Sequence, residues 1–329
     1  MRVPTRLSLA ALSVLAVGGA ATPALAAPSS TWPGETQVST ADSTNVLGTN
    51  VSGLSFQGAG VLWAVRNGPS TLYRLVPDGT RWRPDPGNGW AKGKSLRYRD
   101  GGGEPDAEAV VATPDGVVVA TERDNNDGDV SSAKILRYDP ASTARTLNAT
   151  AEWDVTADLP EVAPNSGPEA ISWVPDSVLT AAGFRDERTG APYDPASYPG
   201  HGTGLYFLGL EDNGTIYAYA LTQSGGSFTR VATIASGLPE IMDLEFEAAT
   251  GRLWATCDNH CDGRSTTLAL TGGKFTTTAT YDRPGRMANL NNEGFALSPA
   301  CVSGRRTVVW ADDGNTGGNA LRRGSLPCS

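Results

Sequence analysis

The chain has 329 residues, 39 of them glycine and 22 proline, with 26 Lys and Arg against 35 Asp and Glu. The net charge of −9 excludes a basic surface for nucleic acid or an anionic membrane. With two histidines, His201 and His260, a histidine-rich metal centre is excluded as well.

Residues 1–26 read as a secretory leader. Arg2 and Arg6 precede an apolar stretch over 7–21, and Ala24-Leu25-Ala26 is a small-x-small cleavage site. The stretch is shorter than the roughly 20 residues a spanning helix needs. The expected mature protein is a single domain, 27–329, secreted and extracellular. Without the two leader arginines it is more acidic still.

Beyond the leader, short apolar runs bounded by turn residues predict strands. The segment 31–40 has no partner close in sequence. Val51-Ser52-Gly53-Leu54-Ser55-Phe56 turns through Gly58-Ala59-Gly60 into Val61 to Val65, then Leu72 to Leu75 follows. Asp106-Ala107-Glu108-Ala109-Val110 continues to Ala112, turns through Pro114-Asp115-Gly116 into Val117 to Thr121, then Ile135 to Tyr138. Gly167-Pro168-Glu169-Ala170-Ile171 opens a third unit, in which 185–203 reads as an inserted loop. There, Gly204 to Leu210 and Thr215 to Leu221 flank Asn213-Gly214, a strong hairpin turn. Met242-Asp243-Leu244-Glu245-Phe246 turns at Thr250-Gly251 into Leu253 to Thr256. Asn291-Asn292-Glu293-Gly294-Phe295 leads to Val308 to Ala311 and Leu321 to Leu326.

Each opening segment has a polar residue, usually a small one, then an apolar run. Recurrence of such a unit predicts an all-β propeller, whose blades take roughly 40–50 residues each. Anchors at Gly53, Ala109, Ala170, Phe246 and Gly294 predict five blades, and the chain length also accommodates six. The last unit lacks a fourth strand, so 31–40 is expected to close the ring as its outer strand, removing an exposed edge.

The first strand of a blade lines the channel, so Ser52, Glu108, Glu169, Glu245 and Glu293 are expected at its mouth. Second-strand ends should join them on the same face: Arg66-Asn67, Glu122-Arg123-Asp124, Arg185-Asp186, Asp258-Asn259 and Asp312-Asp313. Converging carboxylates must protonate, pair with arginine or bind a cation. An oxygen-only donor set suits Ca²⁺, with Glu108, Glu169, Glu245, Glu293, Asp243 and Asn292 as candidate ligands. A glutamate at a strand entry can equally accept backbone N–H groups and lock the ring. Arg66, Asn67, Arg123, Arg185 and Asn259 are candidates to hold a small anionic substrate. Glu293 and Glu245 are the candidate general bases.

Weaker signals lie elsewhere. Asp124 to Asp129 resembles a calcium loop but lacks the EF-hand glutamate. No G-x-S-x-G elbow is present. Cys257, Cys261, Cys301 and Cys328 allow three disulfide connectivities; Cys257–Cys261 and Cys301–Cys328 are favoured, and a metal cluster of Cys257, His260 and Cys261 is the competing reading.

The Glu-Gly and Glu-Ala strand entries, with Asn291-Asn292-Glu293-Gly294-Phe295-Ala296, resemble the secreted esterase-like or phytase-like propeller family over nearly the whole mature chain. The resemblance implies a divalent cation at the channel mouth that polarises a phosphate or lactone carbonyl and activates water. It points to Glu108, Glu169, Glu245 and Glu293. Phytate would require many cations, whereas the lysines are Lys92, Lys94, Lys134 and Lys274 alone. Two functions stay open: a Ca²⁺-dependent hydrolase of a phosphoester or related ester, and a non-catalytic extracellular binding propeller with a structural ion. A monomer is expected, without nucleic-acid or membrane partners.

Overall fold

A computed structural model describes residues 28–328, so the leader expected over 1–26 lies outside the described residues. Blade I contains Val51–Phe56, Leu62–Arg66, Thr71–Asp78 and a fourth strand split into Arg81–Pro84 and Lys94–Arg97. Thr146–Asn148 adds a parallel outer strand. Blade II is Pro105–Thr113, Gly116–Asp124, Asp127–Tyr138 and Ala151–Asp154. Blade III is Pro168–Pro175, Gly204–Leu210, Thr215–Leu221 and Phe228–Ala235. Blade IV is Asp243–Glu247, Arg252–Thr256, Ser265–Thr271 and Lys274–Tyr281. Blade V is Asn292–Leu297, Arg305–Asp312 and Leu321–Pro327, completed by Ser39–Thr40.

The ring thus has five blades, closed by the N-terminal strand. Ser39 pairs with Arg323 and Thr40 with Arg322. Trp32 wedges between Trp254 and Trp310, at ring-centroid distances of 5.9 and 5.5 Å. The buried Asp42 carboxylate accepts the Ala320 and Leu321 N–H groups at 3.0 and 3.3 Å. This closure satisfies the last blade's edge, as the unpaired 31–40 segment led one to expect.

The blade pattern follows from side-chain alternation. Successive residues of a strand point to opposite faces of its sheet. In a propeller both faces are covered, so an inner strand reads as one apolar run. Val117 and Val119 pack toward Trp63 and Trp90 of blade I, while Val118 and Ala120 pack toward Tyr206 and Leu208 of blade III. Each of the five blade interfaces carries one such apolar cluster. Innermost strands approach closely enough to require glycine. A Cβ on Gly294 would meet the Ser52 carbonyl oxygen at 2.2 Å, and one on Gly53 the Val110 nitrogen at 2.6 Å.

The interval that left room for a sixth blade holds an insertion. Residues 176–203 form the short helix Asp176–Ala181, the ribbon Arg185–Asp186 with Ala191–Pro192, and a turn ending at His201. The insertion packs Leu179, Phe184, Tyr193 and Tyr198 into the apolar cluster of blades III and IV, and carries one hydrogen-bonded polar group. The Tyr193 hydroxyl donates to Asp176 Oδ1 at 2.8 Å, and His201 Nε2 lies 3.0 Å from both Asp176 Oδ2 and the Tyr193 hydroxyl. The cysteines pair as Cys257–Cys261 and Cys301–Cys328, with Cα separations of 6.1 and 6.0 Å, which removes the Cys257, His260 and Cys261 metal cluster.

Candidate metal centre

Register fixes which residue of each innermost strand stands at the mouth. Leu54, Ala109, Ala170, Leu244 and Gly294 oppose Ala64, Ala120, Gly209, Ala255 and Ala311. Just before them come Gly53, Glu108, Glu169, Asp243 and Glu293. In every blade except IV a bulge interrupts the pairing at this point. A bulge leaves one residue unpaired and re-aims its side chain, which turns Glu108, Glu169 and Glu293 into the channel.

These three carboxylates do converge. Ser52 Oγ lies 2.9 Å from Glu108 Oε2 and 2.9 Å from Glu293 Oε2. A hydroxyl carries one proton, so in the absence of a cation the second contact uses a proton on one of the two glutamates. Asn67 Nδ2 donates to both Glu108 oxygens at 3.2 and 3.0 Å, and Asn291 Nδ2 donates to Glu293 Oε1 at 2.9 Å. Glu169 accepts no side-chain or backbone hydrogen bond among the described residues and is 6% exposed.

The second-strand ends add more acid. Carboxylate oxygens of Asp106, Glu108 and Glu122 lie within 4.8 Å of one another, and those of Glu122, Glu169 and Glu211 do the same. Glu122 belongs to both trios. It also accepts the Gly167 N–H at 3.0 Å. The counter-charge is Arg123, which pairs with Asp106 at 2.5 Å and Glu122 at 3.5 Å.

Such crowding disfavours ionisation. Burial pushes the Glu122 carboxyl up to about 8, against the pull of Gly167 N–H and Arg123. Burial and then Asp313 push Glu293 up to about 8, and burial with Glu240 and Asp258 raises Glu211 to about 7. Glu169 is raised chiefly by burial and then by Glu108, Glu122, Glu293 and Glu211. Buried, unpaired like charges are held only if a proton or a cation intervenes.

Several expected members stand elsewhere. Asp243 occupies the blade IV mouth position, but its oxygens are consumed. They accept N–H groups from Leu54 at 3.4 Å, Phe295 at 2.6 Å and Leu244 at 2.7 Å, tying blades I, V and IV together. Glu245 pairs opposite Trp254, two residues deeper, where its charged neighbours are Asp243 and Glu247 rather than the other glutamates. Neither residue joins the cluster, and Glu245 is thereby removed as a base acting there. Arg185 belongs to the insertion; its N–H bonds Gly273, in the hairpin at the opposite face. The true counterpart is Glu211, which follows Gly204–Leu210. Arg66 spends its guanidinium on Pro69, Leu47 and Thr71. Asn259 stays on the mouth face beside His260, in the turn Asn259–Cys261. Asn292 is 4% exposed and neither side-chain polar atom has a partner among the described residues.

Asp106, Glu122 and Glu211 extend the set beyond the first-strand glutamates. Asp106 was readable from the period-2 spacing to Glu108, and Glu122 from its second-strand end. Glu211 was hidden while Arg185-Asp186 stood as that strand's end.

Fold and site define a five-bladed β-propeller with an acidic channel mouth able to hold a metal ion. No family model matches the chain, and no curated protein does. Among solved structures it is similar to a protein of unknown function from Bacteroides caccae. The two are 10% identical over 85% of this chain and 82% of that chain, with a TM-score of 0.41. It is also similar to a chain titled as a nidogen/laminin complex, 11% identical over 83% of each, with a TM-score of 0.39. Likenesses this distant transfer no activity; the propeller assignment rests on this chain's own five sheets.

Proposed function

We propose that the protein is a secreted, metal-dependent hydrolase of the esterase-like, phytase-like kind, with Ca²⁺ at its channel mouth. The carrying observation is Glu169, 6% exposed, without a protein hydrogen bond to its carboxylate among the described residues, and with carboxylate oxygens of Glu122 and Glu211 within 4.8 Å. Glu122, Glu169 and Glu211, with Asp106 and Glu108 beside them, would hold the ion through oxygen atoms, the donor type Ca²⁺ prefers. When bound, the cation supplies Lewis acidity toward a phosphoryl or carbonyl oxygen. Glu293 is the base. Asn291 and Ser52 hold its two oxygens, and a pKa near 8 suits proton transfer at neutral to mildly alkaline pH. Water adds its oxygen to the phosphorus or carbonyl carbon. The bond to the leaving oxygen breaks, and one proton passes from water through Glu293 to that oxygen.

Two disulfides using all four cysteines support an oxidising compartment, hence secretion. No helix among the described residues is long and apolar enough to cross a membrane. The partner is a small extracellular molecule rather than nucleic acid, membrane or a second subunit.

The test is hydrolysis of phosphomonoesters, phytate, carboxylic esters and lactones with Ca²⁺ and with chelator. Turnover that disappears on chelation and in Glu293→Gln is expected. Absence of turnover on every substrate sinks the hydrolase. The second reading, a binding propeller with a structural ion, draws on the web in which Ser52 and Asn67 of blade I and Asn291 at the entry of blade V hold Glu108 and Glu293. It expects Ca²⁺ to raise the melting temperature with no hydrolysis at all.

A further inference from the structure

Glu122 lines more than the acidic mouth. It also forms one wall of a cleft of about 290 Å³ between blades II and III. The other walls are Ala133 from blade II, Leu210 and Pro168 from blade III, and Leu159, Pro160 and Val162 from the connecting loop. Leu210 is 1% and Leu159 9% exposed, so the floor is packed. The loop is tied down where the Ser131 hydroxyl donates to the Val162 carbonyl at 3.3 Å.

Two features of this cleft bear on substrate. Its lining contains no lysine or arginine; its charged residues are Glu122 and Glu161. An anionic group placed there would meet repulsion without a partner. A larger cleft, of about 660 Å³, is lined by Arg99, Lys134, Glu152 and Asp154 and includes none of the mouth glutamates. Among these two, the apolar cleft alone shares a wall with the candidate metal centre. Pockets that fix a small ligand combine an apolar lining with a few convergent polar groups, and that is the combination here.

We propose that the cleft is the subsite for an apolar acyl or aryl arm, so that the substrate is an uncharged carboxylic ester rather than a phosphate ester. The inference rests on the hydrolase reading above and narrows it. The volume holds roughly ten water-sized groups at about 30 Å³ each, enough for an arm of about six to eight carbon atoms. The ester carbonyl then lies toward Glu122, Glu169 and Glu293, and the arm toward Leu159 and Val162.

The experiment compares p-nitrophenyl acetate, butyrate and hexanoate with p-nitrophenyl phosphate, on the full secreted chain with Ca²⁺. A gain of about fourfold in kcat/KM per methylene is expected, from the transfer free energy of a buried CH₂. The half-buried loop residue Val162 gives the variant: Val162→Trp fills the cleft and should flatten the series. A flat series in the native protein overturns the subsite, as does an equal slope in Val162→Trp or activity confined to the phosphate. Those results leave the hydrolase reading standing. If no substrate is turned over, that reading falls, and saturation-transfer NMR of methyl hexanoate judges the cleft alone. Binding that Val162→Trp abolishes supports it; absence of binding, or binding unaffected by the variant, overturns it.

Discussion

Asp243 in blade IV and Glu169 in blade III stand at the same register position, each one residue before the partner of Ala255 or Gly209. Blade IV pairs there without interruption, and Asp243 stays in line with its strand. Its short side chain reaches the N–H groups of Leu54, Phe295 and Leu244. Blade III has a bulge at the same place and a longer side chain. Glu169 is swung off the ladder into the company of Glu122 and Glu211, where its carboxylate accepts no protein hydrogen bond among the described residues. One corner of the mouth is therefore a finished structural joint and the other is open to a ligand. The fold makes this difference with one bulge and one methylene.

The sharpest way to break the comparison is to remove each carboxylate. Asp243→Ala orphans three backbone donors at about 1–3 kcal/mol each, so thermal or denaturant unfolding should show a loss of about 3 kcal/mol or more. Glu169→Gln, in metal-free protein, should cost nothing or stabilise, since it replaces an acid crowded by like neighbours with a neutral amide of nearly the same shape. Equal destabilisation by both would abolish the distinction.

Metal addition should act on one corner alone. Ca²⁺ at a hundred times its Kd adds about 2.7 kcal/mol by mass action, read as a rise in Tm that chelator reverses. Glu169→Gln and Glu122→Gln should lose that rise. No Ca²⁺ response in the native protein would remove the open corner's assignment.

The pH dependence carries a definite sign. Glu122, Glu293 and Glu211 have carboxyls raised from an ordinary 4.5 to about 8, 8 and 7, chiefly by burial. Between those limits the folded chain keeps protons that the unfolded chain has released. Stability is fully present below about pH 4.5 and falls as pH rises toward 8. Without metal, the unfolding free energy should fall between pH 5 and 8 by at least one pKa unit's worth, about 1.4 kcal/mol, read as a lower Tm. Ca²⁺ displaces those protons, so its stabilisation should be larger at pH 8 than at pH 5. A metal-free Tm that rises over this interval would contradict the crowding.

The smallest effect is expected at the hydroxyl that bridges two of the glutamates. Ser52→Ala removes a hydrogen bond worth about 1 kcal/mol and should push the titration of Glu108 and Glu293 higher, visible as a displaced pH–Tm curve.

Much of this molecule was legible in its sequence. The uninterrupted β-branched run Val117-Val118-Val119, bounded by Pro114-Asp115-Gly116, reads as a strand covered on both faces, since its alternate side chains are all apolar. Recurring small residues at strand entries, Gly53 and Gly294 among them, mark where neighbouring inner strands touch. An orphan N-terminal segment and a last unit short of one strand imply the closure that Ser39–Thr40 makes. Local chemistry sufficed for these features because each depends on residues close in the chain or on a simple count of strands.

Only the tertiary structure could decide which carboxylate of blade IV stands at the mouth. Asp243 and Glu245 are two residues apart, and a strand repeats with period two. A slip of that size keeps both on the same face and leaves the apolar pattern unchanged. Cross-strand pairing of Leu244 with Ala255 settles the frame. The same holds for Glu211 against Asp186: being the end of a second strand is a property of pairing, and pairing joins residues the sequence holds far apart.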